Sequence, residues 1–272
     1  NEYLASAPKY NLLYEAFGWD IPKYIHVSPI MKDKHAKLSK RNGDASFEDL
    51  VAKGYLSEAI INYIALLGWA PKGEREIYSL EELKQEFDIE GLSKSPSIFD
   101  PLKLRAINGE YIRMLTPEKF LEYATPYIRE SVKREDVDLS KISALLQNRT
   151  EVFTDIPEQV DFIDEMPDYD LALYENKKMK TNCDTALDAL TRSLPVMEAI
   201  EDWRFDVLHD ALFKLIADMG VKNGYVLWPV RVAISGKQFT PGGAFEIAEI
   251  IGKDDTIARM KRSIELLKNS AN

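Results

Sequence analysis

A single cysteine, Cys183, is too few for an internal disulfide or a cysteine-based zinc site. Packing alone therefore has to hold the chain together, which 272 residues allow, and a lone thiol fits a reducing compartment. No apolar run approaches the roughly 20 residues that span a bilayer. The opening NEYLASAPKY lacks the basic-then-apolar order of a secretory leader. A cytoplasmic protein without membrane contact is expected. Repeats and low-complexity segments are absent, and alternating strand patterns are scarce, which excludes a solenoid and an all-β design.

Net positive charge is also missing. Lys and Arg number 35 against 45 Asp and Glu, for a net charge of −10 and a sequence pI near 5.0. That excludes a basic footprint over the whole surface but not a local one, because phosphate contacts need only one basic face. Between Lys23 and Arg41 there are six basic residues against one acid, Asp33. Between Glu151 and Glu175 there are nine acids and no Lys or Arg, so that stretch is a poor phosphate contact.

What is present from about residue 45 onward is helical signal. Ser46 with Asp49 reads as a helix start, followed by an apolar stripe of Ile60, Ile61, Ile64 and Leu67 ending at Gly68. Ser79 with Glu82 forms a capping-box pattern ahead of Leu83 and Phe87. Thr116-Pro117 and Thr240-Pro241 each place an N-cap before a proline suited to the first helical position. Further helices are expected in SKISALLQN, CDTALDALTRSL, WRFDVLHDALFKLIADMG and DTIARMKRSIELLKN. Only the beginning reads otherwise: WDIPKYIHVSPIMKDKHAKLSKRNG holds a short extended run, YIHVSPIM, leading into an exposed basic loop.

That loop, KLSKR at Lys37 to Arg41, closely resembles the KMSKS-type signature of class I aminoacyl-tRNA synthetases in its glutamyl form. A five-residue string with three basic side chains alone fits any solvated loop. The flanks carry the resemblance: SAPKYNLLYEAFGW upstream, then GYLSEAIINYIALLGW, SLEELKQEFD, LSKSPSIFDPLKLRAINGEYIR and WPVRVAISGKQFTPG, all similar to blocks of glutamyl-tRNA synthetases in the same order. The resemblance implies a mainly α chain: helical bundle domains in an elongated array, with a strand-and-loop remnant of the catalytic α/β domain at the N-terminus. It places the end of the catalytic domain at residues 1–44, a helical stem-contact domain at 45–112, and two helical anticodon-binding domains at 113–182 and 183–272.

The chemistry so implied is attachment of glutamate to its tRNA through a glutamyl-adenylate, with ATP and magnesium as the substrate complex and no tightly bound cofactor or metal site. Charge develops on the departing pyrophosphate, and ammonium groups on a mobile loop can meet it. By resemblance Lys40 is the leading phosphate contact, Lys37 and Ser39 share the catalytic loop with it, and Leu38 and Arg41 complete the ATP-binding set. Asn42 stands where the family usually has His, and Gly43 lets the loop fold back. Class I enzymes also need a HIGH-like signature, and His26, His35 and His209 are not in such a setting. The chain alone is therefore expected not to aminoacylate.

For reading unpaired bases the candidates are Arg231, Lys237 and Gln238, near Trp228; the alternative for Arg231 is a structural salt bridge. Lys177, Lys178 and Lys180 form a basic cluster that reads more readily as an exposed linker than as a phosphate contact. Expected partners are glutamate-accepting tRNA, ATP and glutamate, with the protein a monomer. The rival reading is a non-catalytic helical module that binds tRNA or protein.

Overall fold

The computed structural model describes residues 3–38 and 46–270, so Ser39, Lys40, Arg41, Asn42 and Gly43 of the basic loop lie outside the described residues. The chain divides into two compact units, residues 1–114 and 115–272. It is mainly α, with thirteen α-helices and one two-stranded parallel sheet among the described residues. No described helix is long and apolar enough to cross a membrane.

In the first unit, α1 (Ala7–Ala16) precedes an extended segment that ends in β1 (Ile30–Met31), which pairs in parallel with β2 (Ser97–Ile98). Between them lie α2 (Phe47–Ala52), α3 (Ser57–Gly68) and α4 (Leu80–Glu86), and α5 (Pro101–Met114) closes the unit. The Ser46 hydroxyl accepts from Asp49 N at 3.1 Å, as its spacing predicts. The helix it starts is short, because Gly54 turns the chain with a φ of +85° before α3 begins. Here α3 lacks a capping side chain of its own, and Asn108 on α5 supplies one by accepting Leu56 N at 2.8 Å.

The buried face of α3 is Ala59, Ile60, Asn62 and Tyr63, packed on Leu50, Leu104, Ile107 and Tyr111. Ile61 and Ile64 of the expected stripe are exposed. The helix is rotated toward Asn62 because that buried amide spans two backbone groups of the following loop, donating to Glu76 O at 2.7 Å and accepting Tyr78 N at 2.8 Å. Leaving those groups unpaired in the core would cost about 1–3 kcal/mol each. Ile64 instead faces an open groove with Val27, Ile30, Phe87 and Leu92. At α4 the capping box forms as its sequence predicts, with Glu82 N donating to Ser79 Oγ and Ser79 N donating to Glu82 Oε2. Beyond it, Gly91 is seated where a Cβ would fall 2.4 Å from Trp69 Nε1, so the chain closes on that ring only without a side chain.

The second unit begins with α6 (Pro117–Ser131), capped by Thr116 as its sequence predicts, α7 (Leu139–Leu146) and α8 (Ile156–Val160). These gather around Phe120, Ile128, Leu146 and Phe153, with the Phe120 and Phe153 rings stacked at 5.8 Å. Then come α9 (Cys183–Glu198), α10 (Phe205–Met219), α11 (Asn223–Ser235), α12 (Ala244–Ile251) and α13 (Lys253–Ser270). The helices α9, α11 and α13 pack on one another. One buried cation ties these parts together: Arg259 of α13 donates to Phe162 O at 2.7 Å, Ile163 O at 2.9 Å and Ile234 O at 2.9 Å. Three carbonyls in place of a carboxylate take three of the guanidinium's donors without neutralising it, so burial pushes its pKa down. Thr240-Pro241 does not open a helix. Its hydroxyl is taken by Arg231 and Gly242 O, and α12 starts at Ala244 behind a Gly243 N-cap.

Candidate functional site

The approach to the basic loop is built from backbone. After β1 the chain makes a tight turn in which Lys32 N donates to Ala36 O at 2.8 Å. The Asp33 carboxylate closes it, accepting His35 N at 2.7 Å and Ala36 N at 2.9 Å. Those two amides hold the Asp33 carboxyl below the usual range, so the single acid of this basic stretch is spent shaping the turn. Leu38 N returns to Ile30 O at 3.0 Å, and Lys37 sits opposite Met31 as an exposed residue. Ser28, Pro29 and Lys37 line an open pocket of about 510 Å³ with His26 and Val27. Of the expected ATP-side residues, Lys37 lines that pocket, Leu38 follows it with its backbone bonded to Ile30, and Ser39, Lys40 and Arg41 lie outside the described residues.

The second candidate region is the loop between α11 and α12. Gly236 ends α11 with a φ of +65°, and a Cβ there would meet Tyr169 and Pro167 at 3.1 to 3.2 Å. From inside, Arg231 braces the loop, donating to Thr240 Oγ1 and to Gln238 O, both at 2.7 Å, with its guanidinium 4.5 Å from the Trp228 ring centre. Burial pushes its pKa down, and the nearby Arg149 cation adds to the effect. Lys237 is also committed, donating to Glu158 O at 2.8 Å and pairing with Asp161 at 2.6 Å. These bonds leave the Gln238 side chain exposed and Phe239 81% exposed. An aromatic residue that exposed on a braced loop is a flat apolar face held in water.

Sequence reasoning missed Phe239 and the exposed Arg149, which lies on the chain segment after α7. Phe239 had a readable signal, as a lone aromatic among Gly, Lys and Gln and outside any helical stripe. Arg149 had none, because only the fold brings it near Arg231. His209 is placed in an aromatic stack, 4.2 Å from the Phe213 ring centre and 5.3 Å from Phe245. Among the described residues no group of three His, Cys, Asp or Glu side chains is arranged to hold a metal ion.

Comparison with known proteins gives these regions a context. The family described as "tRNA synthetases class I (E and Q), catalytic domain" matches residues 1–106, and that described as "Anticodon binding domain" matches residues 119–264. A glutamate–tRNA ligase of Clostridium acetobutylicum is 59% identical over 268 residues, covering 98% of this chain and 55% of the relative. That of Clostridium tetani is 59% identical over 272 residues, covering 100% of this chain and 56% of the relative. The chain therefore spans about half the length of the curated relatives it matches. A crystal structure of a glutamate tRNA ligase from Elizabethkingia meningosepticum in complex with its amino acid superposes with a TM-score of 0.82 at 28% identity, covering 98% of this chain and 56% of that one. A glutamate-tRNA synthetase from Elizabethkingia anophelis gives 0.79 at 28% identity, covering 97% and 55%. With a catalytic-domain match ahead of an anticodon-binding-domain match that takes in more than half of its residues, the chain belongs to the glutamyl-tRNA synthetase family of class I.

Proposed function

We propose that this chain works as part of a glutamate–tRNA ligase, supplying the phosphate-side loop of the ATP site and the surface that docks tRNA. The observation that carries this reading is the order of its two family matches, the first containing KLSKR and the second containing the braced loop. In the reaction the glutamate carboxylate attacks the α-phosphate of magnesium-bound ATP, forming glutamyl-adenylate and releasing pyrophosphate. A terminal ribose hydroxyl of tRNA then attacks the acyl carbon and releases AMP. Lys40, with Lys37, Ser39 and Arg41, meets the charge on the departing pyrophosphate, and the Leu38 backbone leads the loop into place. The 1–44, 45–112, 113–182 and 183–272 division assigns these tasks along the chain: loop, stem contact, and two anticodon-binding parts.

On the tRNA side, Gln238 offers hydrogen bonds to a base edge and Phe239 a stacking face, while Arg231 and Lys237 act as positioning residues that hold the loop in shape. Base stacking on an aromatic contributes about 1–3 kcal/mol. The test uses the 272-residue chain beside the full-length ligase. We expect the chain to bind glutamate-accepting tRNA without forming glutamyl-tRNA, and Lys40→Ala in the full-length enzyme to lower adenylate formation on the order of 100-fold or more. Glutamylation by the chain alone, or full activity of Lys40→Ala, would overturn the assignment.

A further inference from the structure

Most cations of the 115–272 unit are occupied. Lys119, Lys141, Arg192, Arg204, Lys261 and Arg262 pair with carboxylates, and Arg231 and Arg259 are turned inward. The exception with the most construction behind it is the turn at residues 176–181. Asn176 and Thr181 exchange both backbone hydrogen bonds, at 3.0 and 3.1 Å. The Asn176 carbonyl oxygen of the side chain accepts Lys178 N at 3.0 Å and Met179 N at 3.1 Å. Thr181 Oγ1 is buried and donates to Tyr174 O at 2.8 Å. A linker needs none of this. Lys180 even adopts a φ of +58°, the one non-glycine residue with positive φ among those described, a conformation that costs a side-chain-bearing residue about 1 kcal/mol.

The result of that construction is that Lys177, Lys178 and Lys180 all point to solvent, and none is paired with a carboxylate among the described residues. Their neighbouring acids, Glu175 and Asp184, are exposed and likewise unpaired with them. Met179, between them, turns inward onto Gly224 of α11, where a Cβ would lie 2.4 Å from its sulfur. Lys222, exposed at the start of α11, precedes by two residues the Gly224 that Met179 touches and brings a fourth lysine to this end of the helix.

Position along α11 says what those charges face. Gly224 touches Met179, Trp228 donates to Leu173 O at 3.0 Å, and Arg231 grips the 236–241 loop. Residues 224, 228 and 231 are spaced i, i+4, i+7 and so share one face of the helix. The lysine turn and the braced loop therefore flank the same face at opposite ends of a 13-residue helix, about 20 Å apart at 1.5 Å per residue. A stem-loop RNA whose unpaired bases meet Gln238 and Phe239 would have the exposed lysine turn within reach of its backbone at that distance.

We infer that the 176–181 turn, with Lys222, is a phosphate clamp for the RNA backbone, built to hold the tRNA arm independently of its base sequence. The inference rests on the tRNA-docking reading above. Its test is a salt titration of tRNA binding by the whole chain, using glutamate-accepting tRNA and the same tRNA with an altered anticodon. Each lost phosphate contact lowers the slope of log affinity against log salt by about 0.7–0.9. The K177Q/K178Q/K180Q variant is expected to lower the slope by about 2 and to weaken both tRNAs by the same factor. The variant K177R/K178R/K180R is expected to keep the original slope, which separates lost charge from a damaged fold. An unchanged slope in the glutamine variant, with steep salt dependence in the parent chain, overturns the clamp and leaves the docking reading standing. Failure of the parent chain to bind tRNA overturns both.

Discussion

Arg231 lies on α11 and the lysine turn packs against the same helix through Met179, and both offer positive charge, yet they use it in opposite ways. Arg231 sits in a segment that reads as a tRNA contact, and its donors are taken by Thr240 and Gln238 while its plane lies on Trp228. Lys177, Lys178 and Lys180 sit in a segment that reads as a linker, and they project from a turn closed by backbone and side-chain bonds. A cation's role is therefore set by where its donors go. Inward-facing guanidinium groups hold loops, and outward-facing ammonium groups remain free to meet a polyanion. The first kind should register in stability, and the second in salt-dependent binding.

The strongest attempt to break this contrast is Arg259→Met. It removes the donors of three carbonyls in the core of the second unit, and each buried polar group left unpaired costs about 1–3 kcal/mol. A loss of about 3 kcal/mol or more is expected from the shift in urea midpoint, against less than about 0.5 kcal/mol for the lysine-to-glutamine turn variant. Comparable losses in the two would erase the distinction. Next in size is a pair at the braced loop. Phe239→Ala should leave stability unchanged and weaken tRNA binding by about 1–3 kcal/mol. Arg231→Ala should lower stability by about 1–2 kcal/mol and weaken intact and altered anticodons alike. If Arg231→Ala abolished only anticodon discrimination while stability held, the guanidinium would be a base reader after all.

The smallest expected effect concerns pH. Glu82 is held at about 2 by Ser79 N, Arg75 and the Ser79 hydroxyl, against an ordinary value of 4.5. Because the folded value is the lower one, its contribution is present above about pH 4.5 and is lost as pH falls toward 2. Amide exchange at the start of α4 should therefore rise over that window in the parent chain, and Glu82→Gln should flatten the dependence.

How much of this was legible in the sequence follows from the range of each interaction. The caps at Ser46, Ser79 and Thr116 form as written because both partners lie within three residues. Thr240 fails as a cap because a residue nine positions away takes its hydroxyl. The buried face of α3 turned on Asn62, which no apolar stripe announces, and the burial of Arg259 depends on carbonyls 25, 96 and 97 positions distant. The family and the mainly α fold were readable because long ordered blocks, together with KLSKR, carry them. The same blocks picked out the 231–238 segment, yet they could not show that Arg231 and Lys237 point inward and Phe239 outward.

The decisive experiment is binding of glutamate-accepting tRNA to the purified 272-residue chain, measured against the same tRNA with an altered anticodon. Tight binding is expected, weaker by about 1–3 kcal/mol when the anticodon is changed, with no glutamyl-tRNA formed when ATP, magnesium and glutamate are added. Equal affinity for the two tRNAs, or none for either, would contradict the tRNA-docking reading.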